Sequence, residues 1–136
     1  MHTPVLVADD REIYQVLDRF LLSDHREPTR DSKWDYAAIS KQDADAMPLK
    51  RPRQLRRFFG LLSAGTTTRA WIAKKYEVDQ QAFLADPPAA LVFRDRLYEC
   101  PILPDRGALA NWHTEFRQRF TEIPEDTTLQ IVDAHS

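Results

Sequence analysis

Ala90-Leu-Val-Phe93-Arg94-Asp95-Arg96-Leu97-Tyr98-Glu99-Cys100 is the stretch on which the fold turns. Two runs rich in apolar, β-branched and aromatic residues flank three charged ones. That pattern predicts a β-hairpin, with arms Ala90–Phe93 and Leu97–Cys100 and a turn at Arg94–Arg96. Pro101 follows at once. Proline cannot donate to a ladder, so the second arm is expected to be an edge strand or to end there.

Outward from the hairpin, the chain alternates between strand and helix patterns. Asp105–Thr121 reads as an amphipathic helix, with Leu109, Trp112, Phe116 and Phe120 on its buried side and Arg117 and Gln118 exposed. Pro124 follows its end, and Thr127–Asp133 alternates as a strand in the hairpin's sheet. On the other side, Gln80–Ala85 is a helical turn stopped by Asp86-Pro87-Pro88. Residues 66–79 read as a strand from the alternation of Ile72, Lys74, Tyr76 and Val78, although Ala70 and Ala73 tolerate a helix.

At the start of the chain, Pro4–Ala8 is a short buried strand. Asp9 or Asp10 then caps a helix that carries Ile13, Val16, Leu17, Phe20 and Leu21 as far as Ser23. Residues 24–48 form a polar loop with a short helix around Ile39–Asp45. Trp34 and Tyr36 would pin that loop, since burying a large apolar side chain contributes about 1.5–3 kcal/mol. Pro52 opens a further helix. Leu55, Phe58, Phe59 and Leu62 share its apolar face, and Arg53, Arg56 and Arg57 lie opposite, with Lys50 if the helix starts early. The expected architecture is one α+β domain over residues 1–136, an antiparallel sheet of three to five strands packed with two or three amphipathic helices.

Charge is distributed unevenly. From Met47 to Tyr76 there are eight cations, Lys50, Arg51, Arg53, Arg56, Arg57, Arg69, Lys74 and Lys75, and no carboxylate. Residues 1–46 sum to −4 and residues 77–136 to −6, so the net −2 conceals a dipolar chain. Clustered cations call for an anionic ligand, an acidic partner, or the chain's own acidic arms. Lys50, Arg51, Arg53, Arg56, Arg57, Lys74 and Lys75 are therefore the candidate binding residues, and an acidic protein is the expected partner. Nucleic acid is the second class of partner, although a domain dedicated to it is usually basic overall and this chain has a pI near 6.1. The bland alternative is a solvated face that aids solubility.

Other chemistries leave little trace. Three glycines cannot build a phosphate-cradling loop. His2, His25, His113 and His135 are far apart in sequence, and none has metal-ligand spacing with another or with Cys100. No cofactor and no metal are expected. Cys100 lacks a histidine nearby in sequence and reads as a buried structural thiol. A single cysteine, the absence of any apolar run of about 20 residues, and an amino terminus without a basic leader region favour the cytoplasm and exclude a membrane span. Arginine outnumbers lysine fourteen to five and asparagine appears once, the usage of a GC-rich bacterial genome.

Two local patterns carry resemblances. Thr68–Phe83 resembles a helix-turn-helix core, with Ala73, Val78 and Phe83 at the small, apolar and anchor steps and Glu77 where the turn glycine belongs. Leu6-Val-Ala-Asp9-Asp10 resembles the first strand of response-regulator receiver domains, whose paired acids hold Mg²⁺, and Met47-Pro48 is similar to a second receiver motif. No apolar strand ending in Asp precedes Met47, and no Lys-Pro follows Phe83-Leu84. The expected function is non-enzymatic binding of another macromolecule through a cationic helix face, as in an immunity protein, antitoxin or assembly adaptor. The alternatives are a DNA-associated regulator using residues 68–83 and a small enzyme with a dispersed acid/base site.

Overall fold

The continuous apolar runs Val5–Ala8 and Ala90–Phe93 form the two innermost strands of a mixed sheet. The structure, a computed structural model, describes residues 2–22, 33–50 and 69–136. In chain order the elements are β1 (His2–Ala8), α1 (Ile13–Leu17), β2 (Tyr36–Ile39), β3 (Met47–Pro48), β4 (Arg69–Ala70), β5 (Ile72–Lys74), α2 (Gln80–Ala85), β6 (Ala90–Phe93), β7 (Arg96–Glu99), α3 (Arg106–Glu122) and β8 (Thr128–His135). The main sheet runs β2-β8-β1-β6-β7, with β5 also pairing with β8. β2 and β5 share the outer side of β8, pairing with Val132–His135 and Thr128–Gln130 respectively. β3 and β4 form a separate two-stranded ladder.

The expected all-antiparallel sheet is corrected in one respect. β1 and β6 are parallel, with Val5 opposite Ala90 and Ala8 opposite Phe93. The physical reason lies in their composition. A strand with one wet face alternates, whereas β1 and β6 are apolar at successive positions and are buried on both faces, as parallel pairs require. The sheet also has six strands, one more than expected.

Two cores follow from the pleat. Leu6, Ala8, Leu91, Phe93, Leu129 and Ile131 point to the face covered by α2 and α3. Val5, Val7, Ala90, Val92, Val132 and Ala134 point to the face covered by α1, Phe20 and Trp34. On the first face Phe83, Trp112, Phe116 and Phe120 interlock, with ring centroids 5.7–5.9 Å apart. Such spacing permits the edge and offset contacts that aromatic rings favour. Trp34 is buried as expected, but Tyr36 is half exposed and stacks on His135 at 4.9 Å.

Local expectations fare unevenly. The hairpin forms, with a two-residue turn at Arg94 and Asp95, and β7 ends at the sheet's edge just before Cys100 and Pro101. The long helix forms from Arg106, capped by Asp105, which accepts from the Ala108 amide at 2.7 Å. Its buried stripe is Trp112, Phe116 and Phe120; Leu109, in the first turns, remains 42% exposed. Arg69–Ala70 and Ile72–Lys74 are strands, as the alternation suggested, but a bend at Trp71 sends them to different ladders, and a 3₁₀ turn, Lys75–Glu77, replaces the strand beyond Lys74. The first helix is only Ile13–Leu17 with a 3₁₀ turn Asp18–Phe20 beyond it, and its cap is Glu12 in place of Asp9 or Asp10. The helix expected around Ile39–Asp45 is replaced by the end of β2 and a 3₁₀ turn, Asp43–Asp45. The helix expected from Pro52 lies outside the described residues. No helix among the described residues is long and apolar enough to cross a membrane.

Candidate binding surface

The cationic segment is described at its two ends. Leu49 bridges antiparallel to Val78, and the Lys50 amide donates to the Glu77 carbonyl at 2.8 Å. This stitches Lys50 to the 3₁₀ turn that follows β5 and leaves its side chain exposed. Lys74, the last residue of β5, is half exposed, with Nζ 3.4 Å from the Asp10 carboxylate. Lys75, expected among the binding cations, points inward and is 3% exposed. Its ammonium donates to the carbonyls of Phe120 (2.9 Å) and Ile123 (2.7 Å) and lies 4.8 Å from the centre of the Phe120 ring. These carbonyls lie at the last turn of α3, where positive charge is favoured; the Phe120 carbonyl also accepts from the Ile123 amide at 3.1 Å. Lys75 therefore fastens α3 to the sheet. Arg51, Arg53, Arg56 and Arg57 lie outside the described residues. The helix-turn-helix pattern at 68–83 lacks its first helix, because Arg69–Ala70 and Ile72–Lys74 are strands.

Asp9 and Asp10, the receiver-like pair, are engaged by protein groups. Arg11 reaches both Asp9 (Nη2–Oδ2 2.7 Å) and Asp95 (2.6 Å). Its hydrogen bonds hold the Asp9 carboxyl below its ordinary 3.8. Asp10 accepts from the Thr128 amide at 2.8 Å and faces Lys74, and these contacts lower its carboxyl as well. Asp9 and Asp10 thus tie the end of β1 to β8 and to the hairpin.

At the opposite end of the sheet lies a cleft of about 930 Å³. Phe83, Pro88, Cys100 and Trp112 contribute to its apolar wall, and Asp45, Asp86 and His113 stand on its polar side. Burial pushes the half-buried Cys100 thiol up, which keeps it protonated and a poor nucleophile. Ile102 and Leu103 project beside the cleft at 76% and 93% exposure, and Leu103 adopts a left-handed φ of 50°. His2 meets Asp133 (Nδ1–Oδ2 3.0 Å), and its ring lies edge-on to His135. No cluster of three or more His, Cys, Asp or Glu suited to a metal ion occurs among the described residues.

A further set of cations, not singled out from sequence, gathers at the β6–β7 hairpin. The Arg94 guanidinium lies 4.7 Å from the centre of the Phe93 ring. Arg96 and Arg119 lie 5.5 and 4.8 Å from the centre of the Tyr98 ring. Arg96 and Tyr98 share one face of β7 by the two-residue period, so that half was available in the sequence. Arg119 comes from α3, and only packing brings it to Tyr98. Comparison of the chain with protein-family models, with curated proteins and with solved structures finds no match.

Proposed function

We propose that this protein is a non-enzymatic, cytoplasmic binding domain whose partner is an acidic protein, in the manner of an immunity protein, antitoxin or assembly adaptor. The observation that carries this reading is the run of eight cations without a carboxylate between Met47 and Tyr76, set between flanks of −4 and −6; seven remain for a partner once the inward-pointing Lys75 is set aside. Like charges held together raise one another's free energy, and an anionic partner relieves that cost. Lys50 and Lys74, at the two ends of the run, both reach solvent. Complementary charge mainly speeds encounter and sets specificity.

The test is capture from the native cell followed by titration of the purified partner at two salt concentrations. Reversal of Arg53 and Arg57 to Glu should abolish binding, and an unchanged thermal transition in the variant shows that the loss is one of contact and not of folding. The residual affinity should also depend less on salt. Unchanged affinity and salt dependence after the reversal would refute the reading.

A further inference from the structure

We infer that the tip of the β6–β7 hairpin, with Arg94, Arg96 and Arg119, is a contact surface for carboxylate groups of a protein partner. This rests on the proposed function and assigns part of the contact to a surface outside the Met47–Tyr76 run.

The turn itself is the first observation. Arg94 and Asp95 have φ of 52° and 61°. A two-residue hairpin loop with both φ values positive is a type I′ turn, which Asn-Gly fills without steric cost. An arginine there is unfavourable for the backbone. The turn is held by Asp95, whose carboxylate accepts from Arg11 at 2.6 Å and whose carbonyl accepts from Arg19 at 3.0 Å. Asp95 is thereby committed within the fold, and no ion pair joins Arg94 to it or to another carboxylate among the described residues.

The second observation is how the arginines are held. Each guanidinium lies within 6 Å of an aromatic centre, Arg94 at Phe93 and both Arg96 and Arg119 at Tyr98. Stacking covers a face of the planar group and, in the exposed Arg94 and Arg96, leaves the N–H edge, the fork that matches a carboxylate; Arg119, whose Nε is buried, adds its charge beside them. It also restricts side chains that otherwise lose much rotamer freedom on binding. Two cations at one ring repel each other. Arg119 is paired with one acid, Glu122 at 3.5 Å, and Arg96 with none among the described residues. The set is thus three cations against one acid, and an added carboxylate offsets the excess.

A protein suits this surface better than nucleic acid. A phosphate backbone needs cations that continue along a track. Here the same elements carry Glu99, Glu115 and Glu122, and the whole chain is at −2.

The experiment follows the arginine Nε–Hε signals of the full chain by NMR during titration with a short poly-L-glutamate peptide, and separately with duplex DNA. The Arg94 and Arg96 signals should shift with poly-L-glutamate, while that of Arg117, an exposed arginine on α3, stays in place. The double variant Arg94→Asn/Arg96→Gln should weaken binding by about tenfold or more, since a hydrogen bond to a charged group is worth roughly that factor. Asn tolerates the left-handed turn, so this variant keeps the fold, which an unchanged amide spectrum verifies. If the double variant binds as wild type while Arg53→Glu/Arg57→Glu does not, this inference is overturned and the proposed function stands. Signals that move with DNA and not with poly-L-glutamate overturn both.

Discussion

Lys74 and Lys75 are neighbours in sequence with opposite fates. Side chains at the end of a strand point to alternate sides, so one lysine of such a pair is expected to turn inward. Which one depends on the register of β5 on β8, where Lys74 lies opposite Thr128. That choice is not written locally. The Lys75 ammonium donates to two carbonyls at the end of α3, and the Phe120 carbonyl also accepts from the Ile123 amide, so Lys75→Met should destabilise the fold by about 1–3 kcal/mol chiefly through the Ile123 carbonyl that loses its donor. Urea denaturation measures it, and a loss near zero would mean that water replaces the ammonium. Asp9 gives a pH-dependent counterpart. Its folded pKa lies below its ordinary 3.8, chiefly through the Arg11 hydrogen bonds. A depressed carboxyl stabilises the fold fully above the unfolded value and loses that contribution as pH falls through the folded one. Asp9→Asn should therefore be less stable than wild type at neutral pH, and the difference should shrink as pH drops below 3.8. Denaturation curves at neutral and acid pH provide the comparison.

At the scale of elements, a strong period was a sound guide and its ends were not. The stripe Trp112, Phe116, Phe120 was legible because four-residue and three-residue steps return to one helical face. Leu109 fits the same arithmetic yet stays half exposed at the start of α3, beside the cleft. Periodicity says which face points inward and not how far the neighbouring surface extends. Trp112→Ala should cost about 3–5 kcal/mol, since the ring is buried and its indole N–H donates to the Pro88 carbonyl at 3.1 Å. Leu109→Ala should cost less than about 1 kcal/mol. Equal losses in thermal melts of the two variants would show that the stripe is buried along its whole length. The hairpin was legible from its composition, but the identity of its turn was not. Arg-Asp is a poor match to a type I′ turn, and here Arg11 and Arg19, distant in sequence, hold it.

For the molecule as a whole, β8 is the organising strand. It pairs with β1, β2 and β5, and its Leu129, Ile131, Val132 and Ala134 divide between the two cores. Its antiparallel ladder with β1 joins opposite ends of the chain, His2 to His135. Contacts so distant in sequence form slowly and late in loop-closure terms. Deleting residues 127–136 should abolish cooperative unfolding. Losing Leu129, Ile131 and Val132 alone forfeits about 5–9 kcal/mol of burial, comparable to a typical domain's whole stability of roughly 5–15 kcal/mol. A sigmoidal melt from the truncated chain, followed by circular dichroism, would contradict this.

By itself the amino-acid sequence determined an α+β class, a hairpin at 90–100, an aromatic-striped long helix and a cationic middle between acidic ends. These are local properties, set by side-chain period, turn composition and counted charge. Tertiary structure alone decided that β1 and β6 run parallel, that Lys75 serves as a clasp on α3, and that Arg119 joins Arg96 at Tyr98. Each depends on which distant segments pair and in what register, and pairing partners are chosen by burial across the whole sheet, not by the residues at either site.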